Sequence, residues 1–543
     1  MTAAIPAFGA LIRGLLRLER RQTAGWAAGL FIAGWVSAAS TAATYATHDQ
    51  RVGALGLVVG NPAFLISRGM PQGPEPGAFL FFQMGMVFAV MFAVHGALFA
   101  IRHGRAQDEA GILELLRAGA IGRGTPLAAA LVAGVVAQAA LAVGTYGGFV
   151  LGGAEPVGSA WAALALMLVG VSFLTIGAVC GQIVADARPA LGLALGVVAI
   201  AYLVRAAADA LSPVDPHLLV ADPAPIAWLS PLSLAELADP YGQVDPAPLA
   251  LLLIVSVGLA AVGLLLESRR QYGEALIPTR PGRAHAVPGL RSPWRLALRL
   301  QRGTLIGMGL AGLGVGAFAA MLTLLGAQVA ATDPAIAAVI RTTTGEDGPI
   351  YDLLLAYTML FAAEAAAVAA ILAILRARRE ETTGNAEVVR GTPTHPITWF
   401  GSQLAVAVVS ALVVIVTCWI GAAAVYLGQG AAPVTVAGPL LAAVTAQLPA
   451  VAVYLGVSAL AFAAVPRVAP GLSWGLLLVG VFLAEFGGRA GLPDRLVATT
   501  PFAHTPLVTI PGTSLMPLIW MVLIAACCAG AAAMVYTRRD LTP

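Results

Sequence analysis

The sequence contains no lysine, so all 30 of its basic residues are arginines. Charge of either sign is scarce, because charged residues make up 10% of the 543 positions, whereas a typical soluble domain has about 25%. A phosphate-binding P-loop uses a lysine to reach the phosphates of a nucleotide, and the absence of lysine excludes such a loop from this chain. A process driven by ATP would therefore need a second protein to bind the nucleotide.

Cysteine is also scarce, and its four copies do not indicate a disulfide framework or a metal site. All of them fall within apolar runs, at Cys180, Cys418, Cys527 and Cys528. Cysteines in such surroundings usually act as small buried hydrophobic residues. We expect the chain to hold no cofactor and no metal, and to be no enzyme itself.

Apolar residues are abundant: 59% of the sequence is hydrophobic and its mean hydropathy is +0.87. Apolar runs of about 20 residues recur along the chain, and each can cross a hydrocarbon layer of about 30 Å as a helix. The pattern predicts an all-α polytopic membrane protein with twelve transmembrane helices. In the first half, spans are predicted near residues 24–44, 77–101, 125–151, 157–185, 189–209 and 249–266. An arginine-rich amphipathic helix over residues 5–21 is expected to lie in the membrane interface.

The sequence is an internal duplication of two halves, residues 1–266 and 294–543, joined by a proline-rich linker over residues 267–293. Short motifs recur in the same order in both halves. These motif pairs include Arg188 with Arg467 and Arg269-Arg270 with Arg538-Arg539. Six spans return each half to its starting side, so we expect two parallel six-helix repeats related by a pseudo-two-fold axis along the membrane normal.

Arginine is unevenly distributed between the two sides of the predicted membrane. All but six of the 30 arginines fall on the side that holds both termini, the linker and the loops after the second and eighth spans. Loops rich in basic residues stay in the cytoplasm, so both termini are predicted to be cytoplasmic.

Two charged segments with matched spacing interrupt the apolar runs. In residues 105–117, and again in residues 378–390, an Arg, an acidic residue, a Gly, a Glu and an Arg follow one another at intervals of three residues. We call these the first and second charged segments. Charge pairs at i,i+3 favour short helical turns, and the central glycine permits a break or a close approach. The repetition favours a docking element for a partner outside the membrane over an ordinary solvated loop.

His95 and Glu364 each lie inside a predicted span, where charge is costly and usually faces a pathway. For Glu364 the sequence favours a carboxylate that faces a central cavity and can hold a cationic compound or a proton. For His95, a neutral histidine packed between helices is the more common role, and a place on the same pathway is the alternative.

The chain resembles the permease subunits of bacterial ATP-binding-cassette exporters of the ABC-2 type, above all the double-length permeases of polyketide-antibiotic export and tetronasin resistance. The residues that carry the resemblance are Asp108–Arg117, Glu380–Glu387, Leu229–Leu232, Ser292-Pro293 and Thr500–His504. In that family the loop after the second span of each half is a coupling helix that rests on an ATPase subunit. The resemblance implies a permease in the bacterial cytoplasmic membrane that exports amphipathic drugs or antibiotics. Its implied partners are two copies of a cytoplasmic ATPase, which bind the ATP and magnesium.

The resemblance assigns ATPase coupling to matched residues of the two charged segments. In the first segment these residues are Asp108, Glu109, Gly111, Glu114 and Arg117. In the second segment they are Glu381, Gly384, Glu387 and Arg390. Thr382 stands where the first segment has Glu109, so the second segment is expected to dock more weakly.

Two charge pairs of opposite order lie near the predicted outer ends of the fifth and eleventh spans. Arg205 precedes Asp209 in the first half, and Glu485 precedes Arg489 at the matching place in the second. Each pair can close within its own helix at i,i+4. In the resembling exporters these spans line the central cavity. The alternative is therefore an outer gate in which Arg205 faces Glu485 and Asp209 faces Arg489.

Two other functions fit parts of the pattern. A secondary drug transporter driven by protons also suits twelve spans in two parallel halves, with Glu364 and His95 as its titrating groups, but the paired charged segments would then have no partner. A membrane component that assembles or regulates cell-envelope enzymes without moving a solute is the other alternative.

Overall fold

The structure is a computed structural model. It describes residues 4–59, 68–117, 121–215, 217–270, 275–277, 292–332, 348–430, 432–486, 493–506 and 514–539, and the single residues 65, 337, 341 and 508. It is 83% helical, and the described residues form no β-strand, which confirms the all-α prediction. The chain divides into two compact units, Met1–Gly282 and Arg283–Pro543. The division falls within the segment predicted as a linker, residues 267–293.

The first unit begins with a long helix that is followed by five further spans and several short helices. Its helices are α1 (Ala4–Thr44), α2 (His48–Val59), α3 (Pro76–His103), α4 (Arg105–Glu109), α5 (Ile112–Arg117), α6 (Thr125–Leu151), α7 (Pro156–Ile183), α8 (Ala187–Leu211), α9 (Pro231–Leu237) and α10 (Pro246–Arg269). A 3-10 helix over Pro225–Leu229 precedes α9.

The second unit repeats the order of long and short helices with local differences. Its helices are α11 (Pro293–Thr332), α12 (Ile350–Thr358), α13 (Leu360–Thr382), α14 (Asn385–Arg390), α15 (Pro396–Gly428), α16 (Pro433–Thr445), α17 (Leu448–Ala464), α18 (Ala469–Phe486), α19 (Asp494–Val497) and α20 (Met516–Arg538). A 3-10 helix over Pro501–His504 lies between α19 and α20.

Eleven helical stretches among the described residues are long and apolar enough to cross a membrane. The predicted eleventh span corresponds to α18, which is shorter, with 18 residues, and residues 487–492 after it are not described. A polytopic helical membrane protein is therefore confirmed. The count of twelve spans and the symmetry between the repeats stay predictions.

Proline and acidic residues set the starts of several spans. α7 and α10 both begin with proline, which needs no partner for a backbone N–H at the first helical position. The preceding acidic residues, Glu155 and Asp245, accept hydrogen bonds from backbone N–H groups of the first turn. These caps place the helix ends at the boundary between apolar and polar sequence.

The N-terminal amphipathic segment is not a separate helix. Residues 5–21 and the first span form the single helix α1, because no proline follows Pro6 within it and isolated glycines do not interrupt helical hydrogen bonds. Glu19 of this segment is buried and lies 3.0 Å from both Arg102 and His103, at the end of α3. The segment is thus fixed to the second span, and its location in the interface stays a prediction.

The first and third spans of each half pack against each other at close range. In the first unit α1 packs along α6, and in the second α11 packs along α15. Glycine permits this approach: a Cβ atom at Gly148 would overlap the carbonyl oxygen of Phe31, and one at Gly316 would overlap that of Cys418. Small residues are typical of helix contacts in membranes, where close packing of side chains and backbones drives association.

We expect Gly316→Ala to destabilise the second unit, because the added methyl group meets backbone atoms of Cys418 that cannot move aside. Overpacking of this kind costs about 1–3 kcal/mol. Gly314 lies in the same helix with open space at the position of a Cβ atom, so Gly314→Ala is the matched control. Thermal unfolding of the purified protein in detergent measures the difference, and equal midpoints for the two variants would contradict this packing.

Candidate functional site

Both charged segments form a helix, a glycine turn and a second short helix. In the first, α4 and α5 flank Gly111; in the second, the end of α13 and α14 flank Gly384. The two glycines have φ angles of +72° and +75°, a left-handed conformation that is costly for residues with a side chain. The glycines that the sequence aligns therefore share one backbone conformation.

The second helix of each charged segment shows the same pattern of burial. Leu113 and its counterpart Ala386 are buried. Two positions further on, Leu115 is 78% exposed and its counterpart Val388 is 76% exposed. The exposed acidic residues that precede them are Glu114 and Glu387. Each segment thus has what we call an exposed tip, formed by one carboxylate and one apolar side chain.

The acidic residue that precedes the glycine of the first charged segment is buried in ion pairs. Asp108 lies 2.7 Å from the guanidinium of Arg105 and 2.7 Å from that of Arg270, which follows the last residue of α10. Arg270 also lies 3.0 Å from Glu267. Burial disfavours the Arg270 cation, but Glu267 and Asp108 outweigh it and raise the pKa of this guanidinium. The Arg105–Asp108 pair confirms the pairing predicted from spacing.

The acidic residue that precedes the glycine of the second charged segment is also buried in an ion pair. Glu381 lies 2.5 Å from the guanidinium of Arg539, and it accepts a hydrogen bond of 2.9 Å from the hydroxyl of Tyr536. The Arg539 guanidinium also lies 5.2 Å from the centres of the Tyr536 and Phe462 rings. Arg539 directly follows the last residue of α20, as Arg270 follows that of α10.

The two buried pairs occupy corresponding positions in the two halves. Asp108 aligns with Glu381 in the charged segments, and Arg270 aligns with Arg539 at the ends of the sixth spans. The sequence shows both alignments but not that the acid and the arginine meet, because they are far apart in the chain. In the sequence, the signal for this contact is that the acid and the arginine each have a counterpart of the same charge in the other half.

Glu109 and Thr382, which align with each other, make different contacts. Glu109 accepts a hydrogen bond of 2.9 Å from the backbone N–H of Ala187, at the start of α8. Thr382 donates to the carbonyl of Arg379 in its own helix. Among the described residues, this position links the charged segment to the fifth span in the first half, and the hydrogen bond of Thr382 stays within its own helix.

The arginines that end the two charged segments are described to different extents. Arg390 is half-buried, and its guanidinium lies 5.9 Å from the centre of the Tyr536 ring. The side chain of Arg117 lies outside the described part of the structure. Among the predicted coupling residues that are described, Glu114 and Glu387 are carboxylates that are exposed at matched positions of the two segments.

His95 is buried among aromatic rings of the first unit. Its ring centre lies 5.5 Å from that of Trp26 in α1 and 6.1 Å from that of Phe99 in α3. This environment agrees with a histidine that packs between helices, and the alternative place on a transport pathway stays a prediction.

Glu364 is half-buried in α13 and close enough to Glu485 of α18 for the two carboxylates to interact electrostatically. Glu485 accepts a hydrogen bond of 2.6 Å from the hydroxyl of Tyr357. The proximity of two carboxylates within one half was not predicted from the sequence, and the pathway role of Glu364 stays a prediction. No group of three His, Cys, Asp or Glu side chains in the described ranges is arranged to hold a metal ion.

Arg205 is fully buried, and Asp209, Glu236 and Tyr202 of the first unit are among its partners. Its guanidinium lies 3.2 Å from Asp209 and 3.6 Å from Glu236, and 4.7 Å from the centre of the Tyr202 ring. Burial raises the pKa of the Glu236 carboxyl well above its usual value, and Asp209 adds to the shift while Arg205 opposes it. Glu236 comes from α9 and was not predicted as a partner.

The local pair of the first half is thus formed in the structure. Arg489, the fourth member of the predicted outer gate, lies among the residues that are not described. The gate, in which Arg205 faces Glu485, stays a prediction.

We expect Arg205→Met to destabilise the first unit strongly. The substitution leaves Asp209 and Glu236 buried without the cation between them, and the loss of one partner from a buried ion pair costs about 3–5 kcal/mol. Arg188→Met is the matched control, since Arg188 is exposed in the same helix. Thermal unfolding in detergent should separate the two variants, and a midpoint for Arg205→Met close to that of Arg188→Met would contradict the pairing.

Comparison with known proteins agrees with a membrane permease. Residues 290–537 match the family described as multidrug efflux system permease Rv1217c, C-terminal domain. The chain is also similar to the multidrug efflux system permease protein Rv1217c of Mycobacterium tuberculosis. The two are 30% identical over 542 residues, which cover 98% of this chain and 94% of the relative. With both halves included in that similarity, the chain belongs to the family of the multidrug efflux system permease Rv1217c.

Proposed function

We propose that this chain is the transmembrane permease of an ATP-driven exporter of the ABC-2 type, which moves amphipathic drugs or antibiotics out of the cell. Two copies of a separate cytoplasmic ATPase supply the energy. The name of the Mycobacterium tuberculosis relative supports drug efflux. The single observation that carries the ATPase is the presence of one exposed tip in each half.

Each exposed tip has the makeup of a small protein-binding surface. Leu115 and Val388 are more than three-quarters exposed. A short helix between spans gains nothing from such exposure by itself, since full burial of a side chain of this kind is worth about 1.5–3 kcal/mol. The adjacent carboxylates supply charges that can orient a partner. Two similar tips, one in each half, fit a partner that is present in two copies.

The first tip offers the larger apolar surface. Ile112 is 44% exposed beside Leu115, whereas the polar Asn385 takes its place in the second segment. We therefore expect the first half to bind an ATPase subunit more tightly than the second. This difference agrees with the weaker docking expected from Thr382.

The chemistry of ATP hydrolysis belongs to the partner in this proposal. Without lysine the chain has no P-loop, so the partner binds ATP and magnesium. Closure of the ATPase pair would displace the tips and switch the permease from inward-facing to outward-facing. The arginine distribution supports a cytoplasmic location for the tips and both termini.

Transport into inverted membrane vesicles tests the source of energy. In vesicles that also contain the ATPase, drug uptake should require ATP and continue after an ionophore has collapsed the proton gradient. Uptake driven by the gradient alone would favour the proton-coupled alternative, with Glu364 as its titrating group. If no candidate drug is transported or stimulates ATP hydrolysis, the envelope-assembly alternative gains support.

We expect Glu114→Ala and Glu387→Ala to uncouple ATP hydrolysis from transport. The tips would still offer their apolar side chains, so the complex should assemble. Drug-stimulated hydrolysis should fall about tenfold, within the usual range of coupling free energies. The change at Glu114 should be the more damaging, because the first tip has the larger surface. Asp222→Ala, at an exposed loop position beyond α8, is the control. Normal transport by both tip variants would identify the segments as solvated loops.

We also expect Glu364→Gln to reduce the export of cationic compounds more than that of neutral compounds. Glutamine keeps the size and hydrogen bonding of the side chain but removes its negative charge. Uptake of one cationic and one neutral compound into the same vesicles measures the difference. An equal loss for both compounds would assign Glu364 a structural role.

A further inference from the structure

One buried ion pair in each half joins the charged segment to the end of the sixth span. In the first half Asp108 meets Arg270, and in the second Glu381 meets Arg539. All four side chains are largely or fully buried in these pairs. Leu113 and Ala386, which are buried, are a second attachment of the tip helices.

Arginines of these ion pairs also bind backbone carbonyls at or just beyond the end of the fourth span. In the first half the Arg105 side chain, which pairs with Asp108, donates a hydrogen bond to the carbonyl of Ala185, just beyond α7. In the second half Arg539 donates to the carbonyls of Phe462 and Ala463, in the last turn of α17. Carbonyls in the last turn of a helix, such as those of Phe462 and Ala463, have no helical partner and carry partial negative charge, so a guanidinium fits there. Ala185 lies between α7 and α8, just beyond the last turn of α7.

Each half therefore has a charged cluster that holds the ends of three spans together. The first charged cluster consists of Arg105, Asp108 and Arg270, and the second consists of Glu381 and Arg539. In both, an acid after the second span binds an arginine after the sixth, and an arginine of the cluster donates to a carbonyl at or just beyond the end of the fourth. The residues that make the bonds differ between the halves, whereas the three spans that they join are the same.

Stability alone is a weak reason for such clusters. The cost of removing charges from water offsets much of the attraction in a buried ion pair, and apolar side chains often stabilise as well. A buried pair does favour one arrangement of the helices that carry it, because any arrangement that separates the two residues leaves a buried charge without a partner. A pair that is built twice at corresponding positions indicates that the connection between these spans is itself required.

We infer that Arg270 and Arg539 are positioning residues, which transmit a displacement of each charged segment to the sixth span of the same half. The displacement also reaches the end of the fourth span, through Arg105 in the first half and through Arg539 itself in the second. The inference rests on the proposed function in one respect, namely that the displacement comes from an ATPase docked on the exposed tips. The link between segment and spans is a property of the permease alone and can be tested without a partner.

The first experiment measures amide hydrogen exchange in the purified full chain. Arg270→Gln should speed exchange in residues 105–117 about tenfold relative to Arg269→Gln, since a broken buried ion pair favours local opening. Arg539→Gln should do the same for residues 378–390 relative to Arg538→Gln. Arg269 and Arg538 are exposed neighbours and serve as matched controls. Arg270→Lys and Arg539→Lys keep the charge and should give intermediate rates, and they carry the test if a glutamine variant does not fold. Exchange equal to that of the controls would overturn the inference.

The second experiment measures drug transported per ATP hydrolysed by the permease bound to its ATPase. Arg270→Gln and Arg539→Gln should retain bound ATPase but lower this ratio about tenfold, and the lysine variants should restore part of it. If the wild-type chain neither binds an ATPase nor uses ATP, the proposed function fails while the exchange experiment still tests the link. If wild-type transport uses ATP and the glutamine variants match the Arg269→Gln and Arg538→Gln controls, the inference is overturned.

Discussion

The hydrocarbon layer offers no hydrogen-bond partners to a polypeptide backbone, and this constraint determines where every other interaction in the protein can occur. Helices satisfy their own N–H and carbonyl groups, so the chain crosses as helices and its scarce charges gather where those helices end. The carbonyls of each last turn remain unsatisfied there. Arg539 binds such carbonyls together with a buried acid, and Arg105 binds a buried acid together with a carbonyl just beyond a helix end. The ends of the helices are thus the points at which charge connects one span to another.

The two aligned charged segments share some contacts and differ in others. In the first half Asp108 shares its carboxylate between Arg105 and Arg270; in the second Glu381 binds Arg539 and a tyrosine hydroxyl. A shorter acid with two arginines and a longer acid with one arginine reach the same connection by different geometry. The left-handed glycine and the exposed apolar residue of each charged segment occur in both halves, so the exposed tip and the buried ion pair recur together.

Buried charged residues outside the charged segments also have polar partners, but these partners differ between the two halves. Arg205 is buried against Asp209 and Glu236, so its cation is neutralised within the first unit. At the aligned position the second unit has Glu485, which accepts a hydrogen bond from Tyr357 and lies near Glu364. Aligned residues of opposite charge thus have different side chains around them in the two halves. The two halves agree in their charged segments and differ in these buried clusters.

The sequence alone determined the helical membrane class, the first six spans and the alignment of the charged segments, because apolar runs and residue spacing are local properties. It also indicated that Gly111 and Gly384 permit a break or a close approach, and it indicated the Arg105–Asp108 pair from its i,i+3 spacing. Only the tertiary structure showed that Asp108 meets Arg270, that Glu236 joins Arg205, and that residues 5–21 continue into the first span. Contacts between distant parts of the chain depend on which helix faces meet, and hydrophobic periodicity fixes the existence of a span but not its neighbours.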